Sequence, residues 1–228
     1  MDINYYLNLI ESEHKQKFEE FKNLLVEYNK KYNLTAILDD SGVKIKHFLD
    51  SVLGEKFFKF GANVIEIGSG GGFPSTPLKI IRPDLSFTLV ESTGKKCEFL
   101  QVVAQKLEHK NVKVLNIRAE DGGKDKTLRE SFDVCTARAV ARLNTLCEYC
   151  MPFVKVGGYF VAYKGDAQEE ILQAQKAIKV LGGQIEAVKT VELPANAGVR
   201  NIIVIKKIAP TPAVYPRGNG KERKNPIV

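Results

Sequence analysis

Apolar residues follow two different periods along the chain. Phe18, Phe21, Leu25, Tyr28 and Tyr32 recur at spacings of three and four, with Glu and Lys between them. That spacing places them on one face of an amphipathic helix. Asn33-Leu34-Thr35 breaks the pattern, and Ile45, Phe48, Leu49, Val52 and Leu53 resume it to about Phe58. Beyond Gly61, short β-branched runs alternate with helical stretches. Strands are predicted over 64–67, 87–90, 112–117, 132–137 and 159–163, and helices over 77–82, 95–107, 142–154 and 169–181. This alternation predicts a parallel sheet with right-handed crossovers. Two last strands, 184–193 and 200–206, are joined by a loop alone, which adds an antiparallel edge. The fold class is therefore α/β: a Rossmann-like seven-stranded sheet, mostly parallel with an antiparallel C-terminal hairpin strand. Three parts are expected: a small N-terminal helical cap over 1–60, the sheet domain over 61–208, and a basic Pro/Gly-rich tail over 209–228.

The stretch that organises the rest is Asn63-Val-Ile-Glu-Ile-Gly-Ser-Gly-Gly-Gly-Phe-Pro-Ser-Thr-Pro77. A strand, a turn with Gly68, Gly70, Gly71 and Gly72, and a helix present backbone to a nucleotide-like ligand at the carboxyl edge of a sheet. A dinucleotide fingerprint needs a third glycine at position 73, which is Phe73. Pro74 and Pro77 also remove N–H donors that a pyrophosphate would need. No P-loop sequence is present. An adenosine-bearing ligand without phosphate fits such a turn, and S-adenosylmethionine is one. Glu91, at the end of the second strand and 23 residues after Gly68, can accept hydrogen bonds from both ribose hydroxyls. Glu120 follows the third strand, where its carboxylate or a neighbouring N–H reaches the adenine edge; a merely charged loop is the other reading.

The fourth strand ends in Thr136-Ala137-Arg138. Neither the Asn/Asp-Pro-Pro-aromatic motif of exocyclic-amine methylation nor a proline beside a nucleophilic thiol stands there. Cys135 reads as a buried, inert thiol. Arg138 brings a permanent cation to the functional edge, suited to a phosphate, a guanine edge or a carboxylate. His47 and Asp50 read as the polar face of the second helix.

Charge and cysteine usage refine this picture. The net charge is +7, yet from Lys206 onward six cations face Glu222 alone, so the first 205 residues carry only +2. A basic tail on a near-neutral body suits a polyanion, nucleic acid before membrane, or else only keeps the chain soluble. Of four cysteines, Cys147 and Cys150 form one C-x-x-C with no second pair at zinc spacing, and reduced, partly buried thiols are expected. No metal, no membrane span and a cytoplasmic location are expected as well.

Matching stretches run through the chain in order: Asn33-Leu-Thr-Ala-Ile37, His47-Phe-Leu-Asp-Ser51, Ile67-Gly-Ser-Gly-Gly-Gly-Phe-Pro74, Glu91-Ser-Thr-Gly-Lys-Lys96, Arg118-Ala-Glu120, Ala137-Arg-Ala-Val-Ala141, Val154-Lys-Val-Gly-Gly158, Lys164-Gly165, Leu181-Gly-Gly183 and Tyr215-Pro-Arg217. On these the sequence resembles the bacterial 16S ribosomal RNA guanine-N7 methyltransferase family (RsmG, or GidB). The resemblance implies S-adenosylmethionine contacts at Gly68, Phe73, Ala119, Glu120 and Arg138, to which the turn and strand pattern add Gly70, Gly72 and Glu91. It also implies RNA binding or methyl transfer by Lys95, Arg118, Arg138 and Arg200, and 16S rRNA of the small ribosomal subunit as partner of a monomer. Three departures from the family stand out: Ser75-Thr76 replaces a common Gly-Ile, Glu91 a common Asp and Lys96 a common Arg. Guanine N7 has an in-plane lone pair and no proton to lose, so in-line transfer needs no general base. Two other classes remain open: an NAD-dependent oxidoreductase, opposed by Phe73 and the two prolines, and a non-catalytic RNA-binding or ribosome-assembly factor with a vestigial pocket.

Overall fold

The structure is a computed structural model and describes residues 2–228. Seven strands form one sheet in the order β3-β2-β1-β4-β5-β7-β6. They are β1 (Asn63–Ile67), β2 (Ser86–Glu91), β3 (Val112–Asn116), β4 (Phe132–Arg138), β5 (Val154–Lys164), β6 (Gly183–Glu192) and β7 (Val199–Lys207). The first five are parallel, and β7 inserts antiparallel between β5 and β6. The order reverses at β1, with β2 on one side and β4 on the other. That is where an open α/β sheet leaves a crevice at its carboxyl edge.

Alternate β1 residues serve opposite faces. Ile65 and Ile67 pack with α8 (Leu143–Cys150) and α9 (Gln168–Val180), whereas Val64 packs with Leu78 and Leu100 from α5 (Ser75–Ile81) and α6 (Gly94–Lys106). One boundary differs from the sequence expectation. The helix predicted over 142–154 ends at Cys150, a short 3-10 turn with Pro152 follows, and β5 already starts at Val154, ahead of Gly157-Gly158. Proline removes an N–H and stops the helix, which an apolar run alone does not reveal.

Before β1 come α1 (Ile3–Asn8), α2 (Lys15–Tyr32), α3 (Asp40–Gly42), a π-wound segment Val43–Leu49 and α4 (Asp50–Val52). Asp2 and Asp39 cap two of these starts by accepting the Tyr5 and Gly42 N–H groups. Asn33 closes α2 in the left-handed conformation, φ 48°, which Asn tolerates better than most residues. Phe18, Phe21 and Phe48 from these helices share one apolar cluster with Phe73, Ile80, Phe99 and Val103 of the body. Aromatic contacts of 4.9 Å (Phe18–Phe48) and 5.3 Å (Phe21–Phe73) seat the helices over the glycine turn. After β6 and β7, residues 209–228 run irregularly apart from α10 (Lys221–Lys224), α7 being the short Ala119–Gly122 turn after β3. No helix among the described residues is long and apolar enough to cross a membrane.

Candidate cofactor site and its cationic edge

Gly68, Gly70 and Gly72 have φ of 69°, 51° and 82°, a region that side chains with a Cβ rarely adopt. At Gly68 a Cβ would also come within 2.7 Å of Val140 Cγ2, and at Gly72 within 2.7 Å of Thr76 Oγ1. Four N–H groups of this turn already have partners inside the protein. Those of Gly68 and Ser69 donate to the Val90 carbonyl (2.8 and 3.2 Å) and that of Gly72 to the Ser69 carbonyl (2.7 Å). The Gly70 N–H donates to Glu91 Oε2 at 3.0 Å, and the Thr93 N–H donates to Glu91 Oε1 at 2.8 Å. Glu91 thus ties the turn to the end of β2, while each carboxylate oxygen keeps a second lone pair.

Beside the turn lies a cavity of about 290 Å³ whose lining includes Gly68, Glu91, Arg118, Ala119, Glu120 and Val140. Its size is near the lower end of small-ligand sites, about 300–1,000 Å³. Its carboxylates suit a ligand with hydroxyls and a positive centre. A phosphate against Glu91 would meet like charge, and the Gly70 N–H beside it is already taken.

Arg138, at the end of β4, turns toward the N-terminal helices. Its Nη1 donates to Asp50 Oδ2 (2.8 Å) and to the Lys46 carbonyl (3.0 Å), and its Nη2 to His47 Nδ1 (3.1 Å). Arginine has only donors, so Nδ1 is the acceptor and Nε2 carries the proton. Nε2 then donates to Thr35 Oγ1 at 2.7 Å. The guanidinium lies 4.8 Å over the Phe73 ring, on which His47 also stacks at 4.4 Å. Burial, aided by the Arg138 charge, lowers the His47 pKa to about 4, so the ring is neutral. Asp50 is 3% exposed, and Arg200 Nε stands 3.3 Å from its Oδ1. That second contact is electrostatic, because Oδ1 has no aligned hydrogen bond.

The expected site residues therefore separate into three groups. Gly68, Glu91, Arg118, Ala119 and Glu120 line the cavity. Gly70 and Gly72 shape the turn, whereas the Phe73 side chain lies in the aromatic cluster under the N-terminal helices. Arg138 and Arg200 meet at Asp50, so of the three partners open to Arg138 it has taken a carboxylate, one supplied by its own chain. Lys95 stays exposed at the start of α6. Sequence reasoning missed His47 and Asp50, which are buried partners of Arg138 rather than a solvated face. An His and an Asp three positions apart in an otherwise apolar helix were the available signal.

Sequence reasoning also passed over Glu66. It is fully buried in β1, neither carboxylate oxygen has a hydrogen-bond partner, and burial raises its pKa to about 8 against the opposing influence of Ser75 and Arg138. Ser75 and Thr76, two of the positions that depart from the family pattern, are buried at the start of α5. All four cysteines are free and buried, Cys147 and Cys150 completely. Among the described residues, no group of three or more His, Cys, Asp or Glu is placed to hold a metal ion.

The family model described as rRNA small subunit methyltransferase G matches residues 14–202. A ribosomal RNA small subunit methyltransferase G of Brevibacillus brevis is 48% identical over 217 residues, 94% of this chain and 91% of that protein. The Acetivibrio thermocellus protein of the same description is 44% identical over 219 residues, covering 96% and 90%. Among solved structures, an Aquifex aeolicus SAM dependent methyltransferase superposes with a TM-score of 0.56 at 16% identity, over 79% of this chain and 97% of that one. Aeropyrum pernix fibrillarin, solved with natively bound S-adenosyl-L-methionine, gives 0.53 at 18%, over 69% and 73%. At such identities the structural matches speak for the fold alone. The sequence matches decide the family, and the chain belongs to the rRNA small subunit methyltransferase G family.

Proposed function

We propose that the chain transfers a methyl group from S-adenosylmethionine to N7 of a guanine in 16S ribosomal RNA of the small subunit. Family membership supports the reaction class. The observation that carries the cofactor is the closed glycine turn: its Gly70 N–H donates to Glu91 instead of facing a phosphate. An NAD-dependent oxidoreductase would need those donors free. The cavity fits S-adenosylmethionine, with Glu91 accepting from the ribose hydroxyls and the residues around Ala119 and Glu120 holding the base.

When bound there, S-adenosylmethionine supplies an electrophilic methyl carbon on a sulfonium. The protein's part is to align the guanine and exclude water, because N7 provides its own electron pair. Arg138 and Arg200, fixed by Asp50, form a rigid cationic edge beside the turn. Arg118 and Lys95 offer exposed cations to the RNA backbone. Residues 1–60 serve as the cap over this edge and 61–208 as the catalytic body of a monomer. Incubation with labelled S-adenosylmethionine and small subunits lacking the modification tests the proposal. Label in 16S RNA is expected; its absence under conditions where the protein binds both substrates would favour a non-catalytic assembly factor.

A further inference from the structure

Glu148 and Thr145 hold the C-terminal residues to the body, and a second buried carboxylate, Glu222, folds that segment on itself. Glu148, 1% exposed by its side chain, accepts from the Arg217 backbone N–H and Nε through Oε1 (both 2.9 Å) and from Nη2 through Oε2 (2.7 Å). Glu222, fully buried, accepts the Gly218 N–H through Oε1, and its carbonyl accepts from the Thr145 hydroxyl at 2.9 Å. Glu148 and Thr145 both lie on α8. Burying carboxylates carries a desolvation cost of several kcal/mol each before compensation, which a segment that only improves solubility does not require.

These anchors bring Gly220 and Arg223 into the wall of the cavity that also contains Glu91, Ala119 and Glu120. Tyr149 lines the same wall. Glu120, Tyr149 and Arg223 thus share one lining; burial raises the Tyr149 phenol pKa, Arg223 opposes that rise and the Glu120 charge adds to it. The Arg223 side chain has an exposed side and takes no part in the anchoring bonds.

We propose that residues 217–224 are a cofactor-binding element, in which Arg223 closes the nucleoside end of the cavity and lays its guanidinium against the adenosine part of the ligand. This rests on the assignment of the cavity to S-adenosylmethionine. A planar cation suits an aromatic base, which it can contact face-on without needing a particular hydrogen-bond pattern. The anchors at Glu148 and Glu222 then position Arg223, and by linkage the ligand and the docked segment stabilise one another.

Calorimetric titration of S-adenosylhomocysteine into the full chain tests this, using the natural sequence and the variants Arg223→Ala, Arg223→Lys and Glu91→Ala. Arg223→Ala is expected to weaken binding about tenfold, the size of one desolvated cation–π or charged contact. Its thermal midpoint without ligand should match the natural protein. Arg223→Lys should recover part of the loss, and hydrogen exchange at 217–224 should slow on ligand binding. Full affinity in Arg223→Ala together with weak binding in Glu91→Ala would overturn the inference alone. Full affinity in both variants would overturn the cavity assignment, and the inference with it.

Discussion

Arg138 Nη1 lies 2.8 Å from Asp50 Oδ2 and joins the end of β4 to a helix 88 residues earlier in the chain. The same carboxylate holds Arg200, 3.3 Å from its other oxygen. Removing one partner of a buried pair leaves an uncompensated charge, at a cost of about 3–5 kcal/mol. Asp50→Ala should therefore lower unfolding free energy by about 3 kcal/mol in urea titrations. An unchanged midpoint would show that the arginines do not depend on Asp50. Arg138→Lys keeps the charge but cannot reproduce the contacts to Asp50, Lys46 and His47 together, so methyl transfer should fall at least tenfold, about 1.4 kcal/mol of transition-state stabilisation.

Two buried groups give stability opposite pH dependences. His47 has its pKa lowered from 6.5 to about 4. Its contribution is fully present above pH 6.5 and is lost as pH falls toward 4, because the unfolded chain takes up the proton first. Glu66 has its pKa raised from 4.5 to about 8. Its contribution is fully present below pH 4.5 and is lost as pH rises toward 8. Each limb should amount to roughly 1–3 kcal/mol. His109, also lowered to about 4 by burial, adds to the acid limb. Urea midpoints measured against pH should form a dome. Between pH 4.5 and 6.5 the two histidines together outweigh Glu66, so His47→Gln should bring the acid side close to level, and Glu66→Gln should flatten the alkaline side. Slopes unchanged in both variants would contradict the assignment.

Cys135 is fully buried in β4, so it cannot supply the thiolate that methylation at a pyrimidine carbon requires. Cys135→Ala should keep most of the methyl transfer and cost about 1–2 kcal/mol of stability through altered packing. A folded Cys135→Ala protein that binds both substrates and transfers nothing would point to covalent catalysis.

Deleting residues 209–228 should do more than remove positive charge. The cut takes away Arg217 from buried Glu148, Thr211 from Lys207 Nζ (2.6 Å), and the Thr211, Pro212 and Tyr215 carbonyls from Arg129. The expected result is a loss of at least about 3 kcal/mol, from the stranded Glu148 alone, along with loss of cofactor affinity. A stable truncated protein with full cofactor affinity and only weaker RNA binding would restore the view of this segment as an appendage.

The sheet was legible because each of its elements announces itself locally. Gly68, Gly70 and Gly72 take left-handed backbone, and the run before them is β-branched. Glu91 and Ala119-Glu120 were legible because strand ends converge at the carboxyl edge. The Arg138–His47–Asp50 cluster was not, since Arg138 lies 88 and 91 residues from Asp50 and His47 and meets them only through packing of the N-terminal helices on Phe73. The docked C-terminal segment was hidden for a related reason. Individual buried hydrogen bonds hold it, and these leave no period in a sequence rich in Pro, Gly and Lys. Residues 3–13 are helical with only Tyr6, Leu9 and Ile10 buried, too short a stripe for periodicity to mark.

The central claim is methyl transfer to guanine N7 by alignment, and one measurement tests it most directly. Small ribosomal subunits lacking the modification are reacted in a single turnover with labelled S-adenosylmethionine, and the RNA is digested to nucleosides and separated. The account predicts that the label elutes as 7-methylguanosine, with a transfer rate varying less than about threefold between pH 6.5 and 8.5, since no group must lose a proton before attack. Label in a methylated pyrimidine or on an exocyclic amine, or a rate rising about tenfold per pH unit, would contradict it.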